Sequence, residues 1–258
     1  MGKRTATRRL RAGQMEMDRD AQLYAIDGGW HPDDGNAYKR QDKKHGEKRD
    51  QRYVKTIKPR SDNQAALMEA LATRPLVAAL GPAGTGKTYL AVCEAVKALQ
   101  EGRVARIVLA RPAVDAGEQI GYLPGGMEEK LAPFLRPLYD ALSDRLSPKQ
   151  LRDMISEGIS EIAPIGFMRG RTLSNAFIVI DEAQNCTYTQ LKMLLTRLGW
   201  HSTMAITGDP AQTDRLPGLS GLAAIAEKIE TMNDVAVIRL EGQDVVRHPL
   251  VAEMLGVL

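Results

Sequence analysis

The chain has few cysteines, few aromatic residues and no long apolar runs, and each shortage excludes something. Two cysteines, Cys93 and Cys186, stand among 258 residues. They permit one disulfide at most, cannot build a CxxC-type tetrahedral zinc site, and fit a reducing compartment. Apolar runs such as Leu76–Leu80 and Phe177–Ile180 fall far short of the roughly 20 residues that span a bilayer. The Met1–Gly13 segment is basic, but it leads into Met15-Glu-Met-Asp-Arg-Asp20 rather than an apolar stretch, so a secretory signal is not expected. These absences point to a cytoplasmic protein with no membrane partner. Three Phe and two Trp offer no clustered platform for stacking bases.

Acidic residues nearly balance basic ones, leaving a net charge of +3. The balance is uneven along the chain. Residues 1–60 hold 16 Lys and Arg against 9 Asp and Glu, whereas the other 198 hold 19 against 23. A basic arm suits nucleic acid, because neutralising phosphates releases condensed counterions. The same composition also describes a solvated tail.

Residues 1–58 show little apolar periodicity and are interrupted by the turn formers Asp27-Gly-Gly-Trp-His-Pro-Asp-Asp-Gly35, so an irregular extension is expected there. Residues 59–258 read as one doubly wound α/β domain, a parallel sheet flanked by helices, in which short apolar runs alternate with helical patterns. Strands are expected at Leu76–Leu80, Arg106–Ala110, Glu161–Pro164, Phe177–Asp181, Thr203–Thr207 and Val235–Leu240. Helices are expected at Lys87–Gln100, with Ala91, Val92, Ala95, Val96 and Leu99 on one face, and at Thr187–Leu198, with Leu191, Leu194, Leu195 and Leu198 on one face.

Gly81-Pro-Ala-Gly-Thr-Gly-Lys-Thr88 matches G-x-x-x-x-G-K-[ST] between an expected strand and an expected helix, which is the context a phosphate-binding loop requires. Gly81, Pro82, Ala83, Gly84, Thr85 and Gly86 form the candidate loop, whose glycines would let backbone N–H groups wrap around phosphate oxygens at a helix N-terminus. Lys87 would set a cation against the β- and γ-phosphates, and the Thr88 hydroxyl would hold Mg²⁺. The plainer alternative is a glycine-rich turn. Downstream, Phe177-Ile-Val-Ile-Asp-Glu182 runs an apolar strand into two carboxylates. Asp181 can face Thr88 and the metal, and Glu182 is a candidate general base; the alternative is a surface charge pair. Gln184 and Gln212 are neutral amides suited to sensing a γ-phosphate or orienting water.

Asp181-Glu-Ala-Gln184 and Thr207-Gly-Asp-Pro-Ala-Gln212 resemble the Walker B motif and motif III of superfamily 1 helicases. Gln64 in Ser61-Asp-Asn-Gln64 resembles their adenine-reading glutamine. Leu109-Ala-Arg-Pro-Ala113, Gly121-Tyr-Leu-Pro-Gly125, Phe167-Met-Arg-Gly-Arg-Thr172 and Asp244-Val-Val-Arg-His-Pro-Leu250 are similar to the PhoH family, phosphate-starvation-associated ATPases of bacteria and bacteriophages. The resemblance covers about residues 60–258. It implies a single RecA-like P-loop NTPase domain that uses ATP and Mg²⁺, is coupled to RNA or DNA, and assembles as a ring-shaped homo-oligomer, a hexamer. Length for a second RecA-like domain is lacking, so the arginine that meets charge on the γ-phosphate is expected from the C-terminal segment or from a neighbouring subunit. Arg247 is the candidate, acting in trans; capping a helix or pairing with Glu241 or Asp244 is its plainer role.

Arg111, Arg169 and Arg171 are candidate nucleic-acid contacts, although arginines in α/β proteins more often form structural ion pairs. Two competing functions are a small-molecule kinase and a nucleotide-dependent binding protein without catalysis. Glu182 argues against the kinase, which must exclude water rather than activate it.

Overall fold

The computed structural model describes residues 57–112, 127–212 and 220–246. Six strands form one sheet: β1 (Leu76–Leu80), β2 (Arg106–Arg111), β3 (Ser160–Pro164), β4 (Ala176–Ile180), β5 (Thr203–Gly208) and β6 (Val235–Arg239). Their spatial order is β3-β2-β4-β5-β1-β6, and every pairing is parallel. A parallel sheet covered on both faces needs strands that are apolar throughout. β1 and β4 are accordingly buried at every position.

Side chains of alternate parity point to opposite faces. Val77, Ala79, Ile107, Leu109, Phe177 and Val179 join one core with α1 (Asp62–Thr73), α2 (Lys87–Gln100), α3 (Met127–Ser143) and α4 (Pro148–Ser156). Ala78, Val108, Ala110, Ile178, Ile180 and Ile206 join the other with α5 (Tyr188–Leu195) and α6 (Leu222–Ile229). The register pairs Leu80 with Gly208 and Ala110 with Ile180. The C-terminal ends of four central strands therefore lie side by side, which is where open α/β sheets bind ligands.

All six expected strands appear, β1 with the expected ends and the other five shifted by one residue at one or both ends. β4 stops at Ile180, one residue before Asp181: the Asp181 N–H still donates to Ala110 O at 2.8 Å, but the chain turns at Glu182. α5 is shorter than expected at both ends. Thr187 is its cap, accepting from Gln190 N, and Gln190 Oε1 in turn accepts from the Thr187 N–H. Beyond Leu195 the chain leaves the helix, and Leu198 forms a parallel bridge with Leu173, so Leu198 is not on the helical face. Among the described residues no helix is long and apolar enough to cross a membrane.

Candidate nucleotide site at the C-terminal end of the sheet

The loop between β1 and α2 requires glycine for two separate reasons. Gly81 has φ +137°, and a Cβ there would lie 2.1 Å from Leu240 O. Gly84 and Gly86 both have φ +86°, a region that L side chains rarely adopt. Gly86 caps α2 without any side-chain hydrogen bond. A helix N-terminus left without a side-chain cap, preceded by glycines that let backbone approach, has the donor chemistry of a phosphate cradle.

Lys87 is only 8 % exposed. Its Nζ donates to Gly81 O at 2.6 Å and Pro82 O at 2.7 Å, so the ammonium is held over the loop. Burial pushes its pKa below the ordinary lysine value, and Asp209, Glu182 and Asp181 pull it partly back. Thr85, whose hydroxyl donates to Pro82 O at 2.9 Å, is fully buried.

Asp181 is buried at the end of β4 and collects hydroxyls. Thr88 Oγ1 donates to its Oδ1 at 2.6 Å, and Thr207 Oγ1 donates to the same oxygen at 2.8 Å. Thr88 and Asp181 thus present two hard oxygens next to the loop. Magnesium favours such a sparse protein set, completed by substrate phosphates and water. The residues present therefore fit the metal that the motif implies.

Glu182 adopts φ 51° and ψ 42°, the left-handed region, where a residue with a Cβ is strained by about 1–3 kcal/mol. Strain of this kind clusters at functional sites. The Gln184 amide donates to Glu182 Oε2, while its Oε1 accepts from Asp209 N at 3.2 Å. Gly208 makes room for that amide: a Cβ there would stand 2.7 Å from Gln184 Oε1. Gln212 is at the exposed rim, with its N–H bonded to Asp209 O at 3.1 Å.

Gln64 reaches the loop from the first turn of α1, where Ser61 Oγ accepts from Gln64 N. Its Nε2 donates to Thr85 O at 3.0 Å and to Asp244 O at 3.5 Å, and its Oε1 accepts from Arg60 N at 2.9 Å. The segment after β6 closes the same corner. Leu240 N donates to Leu80 O and Val246 N to Gly84 O, and the Asp244 carboxylate accepts from Asn63 Nδ2 and Glu241 N at 2.9 and 2.7 Å.

The fold thus gathers Gln64, the whole loop, Lys87, Thr88, Asp181, Glu182 and Gln184, with Gln212 at the edge. Arg247 lies outside the described residues, one position beyond Val246, as do Gly121–Gly125 and most of the basic extension. Sequence reading missed Thr207 and Asp209 as members of the cluster, although both belong to a motif it had singled out. Of the arginines, Arg171 forms a two-pronged pair with Glu161 at 2.5 and 2.6 Å. Arg111 faces Asp181 and Glu182, and Arg169 is exposed.

The chain is similar to known proteins. The PhoH-like protein of Mycobacterium tuberculosis is 52 % identical over 202 residues, covering 78 % of this chain and 57 % of that protein. The PhoH-like protein of Bacillus subtilis is 50 % identical over 202 residues, 78 % of this chain and 63 % of its own length. The chain thus spans about three-fifths of these curated relatives. The large terminase of a thermophilic bacteriophage superposes with a TM-score of 0.47 at 12 % identity, over 77 % of this chain and 50 % of the terminase. The PhoH-like protein family model matches residues 56–258, and this P-loop NTPase domain belongs to the PhoH family.

Proposed function

We propose that the protein hydrolyses ATP with Mg²⁺ and couples hydrolysis to binding or remodelling RNA or DNA, as an ATPase related to superfamily 1 helicases. The observation that carries this reading is the 2.6 Å contact between Thr88 Oγ1 and Asp181 Oδ1. It joins the phosphate loop to the acidic strand end, with Glu182 as the next residue.

In this reading the backbone of Gly81–Gly86 and the Lys87 ammonium bind the β- and γ-phosphates, while Thr88 and Asp181 hold the metal. Bound magnesium supplies charge neutralisation and orientation of the phosphates. Glu182 accepts a proton from the attacking water. Gln184, fixed between Glu182 and Asp209 N, orients that base, and Gln212 is placed to sense the γ-phosphate from the rim. Gln64 serves nucleotide binding by holding Thr85. Residues 1–58 serve as a basic extension to the domain at 59–258.

Arg247 is the proposed arginine finger, supplied in trans within a ring of identical subunits, a hexamer. Mixing Lys87→Ala with Arg247→Ala protein tests this: mixed rings recover part of the activity, because some interfaces pair an intact loop with an intact arginine. An Arg247→Ala protein as active as the parent contradicts it. The reading as a whole is tested by phosphate release from ATP with single- and double-stranded RNA and DNA. Hydrolysis stimulated by at least one polymer is expected. Transfer of the phosphoryl group to a small molecule in preference to water would establish the kinase instead.

A further inference from the structure

A carboxylate that takes a proton from water must turn a lone pair toward that water. Both oxygens of Glu182 already have partners. Oε1 is paired with Arg111 Nη2 at 3.4 Å, and Oε2 accepts from the Gln184 amide. The same guanidinium extends its other arm to Asp181 Oδ2 at 3.5 Å.

This pairing is looser than others in the molecule. Arg171 grips Glu161 at 2.5 and 2.6 Å, and Arg239 grips Glu230 at 2.6 and 2.7 Å. Those are the two-pronged, short contacts that guanidinium and carboxylate prefer. Arg111 is less exposed than either of those arginines, at 22 %, yet it closes tightly on neither neighbour because one cation is divided between two carboxylates. It stands at the very end of β2, with its side chain partly exposed. A phosphodiester offers two adjacent oxygens that such a planar fork can bind bidentately.

We propose that Arg111 is a positioning residue that holds Glu182 in a resting arrangement, and that the phosphodiester backbone of RNA or DNA competes with Glu182 for its guanidinium, freeing the carboxylate for water. The proposal rests on the nucleic-acid reading above. It supplies a physical link by which polymer binding at the strand ends reaches the hydrolytic site.

Competition of this kind is reciprocal: weakening the carboxylate's hold on Arg111 must strengthen the polymer's. The test is a double-mutant cycle on binding of a fluorescein-labelled single-stranded oligonucleotide, followed by anisotropy without nucleotide. Glu182→Gln is expected to tighten binding about fivefold, and the gain is expected to vanish when Arg111→Gln is also present. Arg111→Gln alone is expected to lower the slope of log affinity against log salt by about one. Arg111→Met takes its place in the cycle if Arg111→Gln does not fold. Equal tightening in both backgrounds, or none in either, refutes the proposal while leaving the nucleic-acid reading standing. Failure of the unaltered protein to bind any oligonucleotide overturns both.

Discussion

Replacing Gln64 with alanine isolates how the nucleotide loop is supported. The side chain is 5 % exposed, and its two ends make contacts of 2.9 Å to Arg60 N and 3.0 Å to Thr85 O. Truncation leaves a buried carbonyl and a backbone N–H without this partner, at about 1–3 kcal/mol for such a group when nothing replaces it. The emptied space adds to the loss. A total of about 3 kcal/mol follows, or about 6–12 °C in Tm for a domain of this size. Urea denaturation reads the change as a lower midpoint at constant slope. Because the contact fixes the loop rather than a base, ATP and GTP affinities are expected to fall by the same factor. A variant within about 0.5 kcal/mol of the parent would refute the support role, and a loss confined to ATP would assign Gln64 to adenine reading.

Gly81→Ala places a methyl 2.1 Å from Leu240 O at φ +137°. It is expected to destabilise by about 3–5 kcal/mol, seen as a matching shift of the urea midpoint. The Lys87 pKa lies below the ordinary 10.5 because of burial, so the unfolded chain holds the extra proton between the folded value and 10.5. The cost of burying this charge is therefore full below the folded value and relieved as pH rises through that window. In the same window ATP affinity measured without Mg²⁺ is expected to fall, and Lys87→Arg, which stays charged, is expected to abolish the fall. Deleting residues 1–58 is expected to reduce the salt dependence of nucleic-acid binding; an unchanged slope would show that those charges do not meet phosphates.

Much of the site was legible because its chemistry depends on local order. The loop from Gly81 to Thr88 and the apolar run ending at Asp181 carry their roles in adjacent residues, and the strand C-terminal ends bring them together once the sheet is parallel. What escaped was chemistry created only by strand order. Thr207 reaches Asp181 because β5 lies beside β4, and Arg111 reaches Glu182 because β2 lies on the other side. Neither neighbour is close in sequence. The excess length expected for the helix at Thr187 arose from Leu198, an apolar residue in helical register that is recruited by Leu173 instead.

The central claim is that this cluster hydrolyses ATP with Glu182 as the base. The most direct measurement is the steady-state rate of phosphate release by Glu182→Gln, alongside its affinity for a fluorescent ATP analogue. A rate lowered by about 10²-fold or more with affinity unchanged is predicted, since positioned general bases contribute about that much. A rate within about twofold of the parent would contradict the assignment.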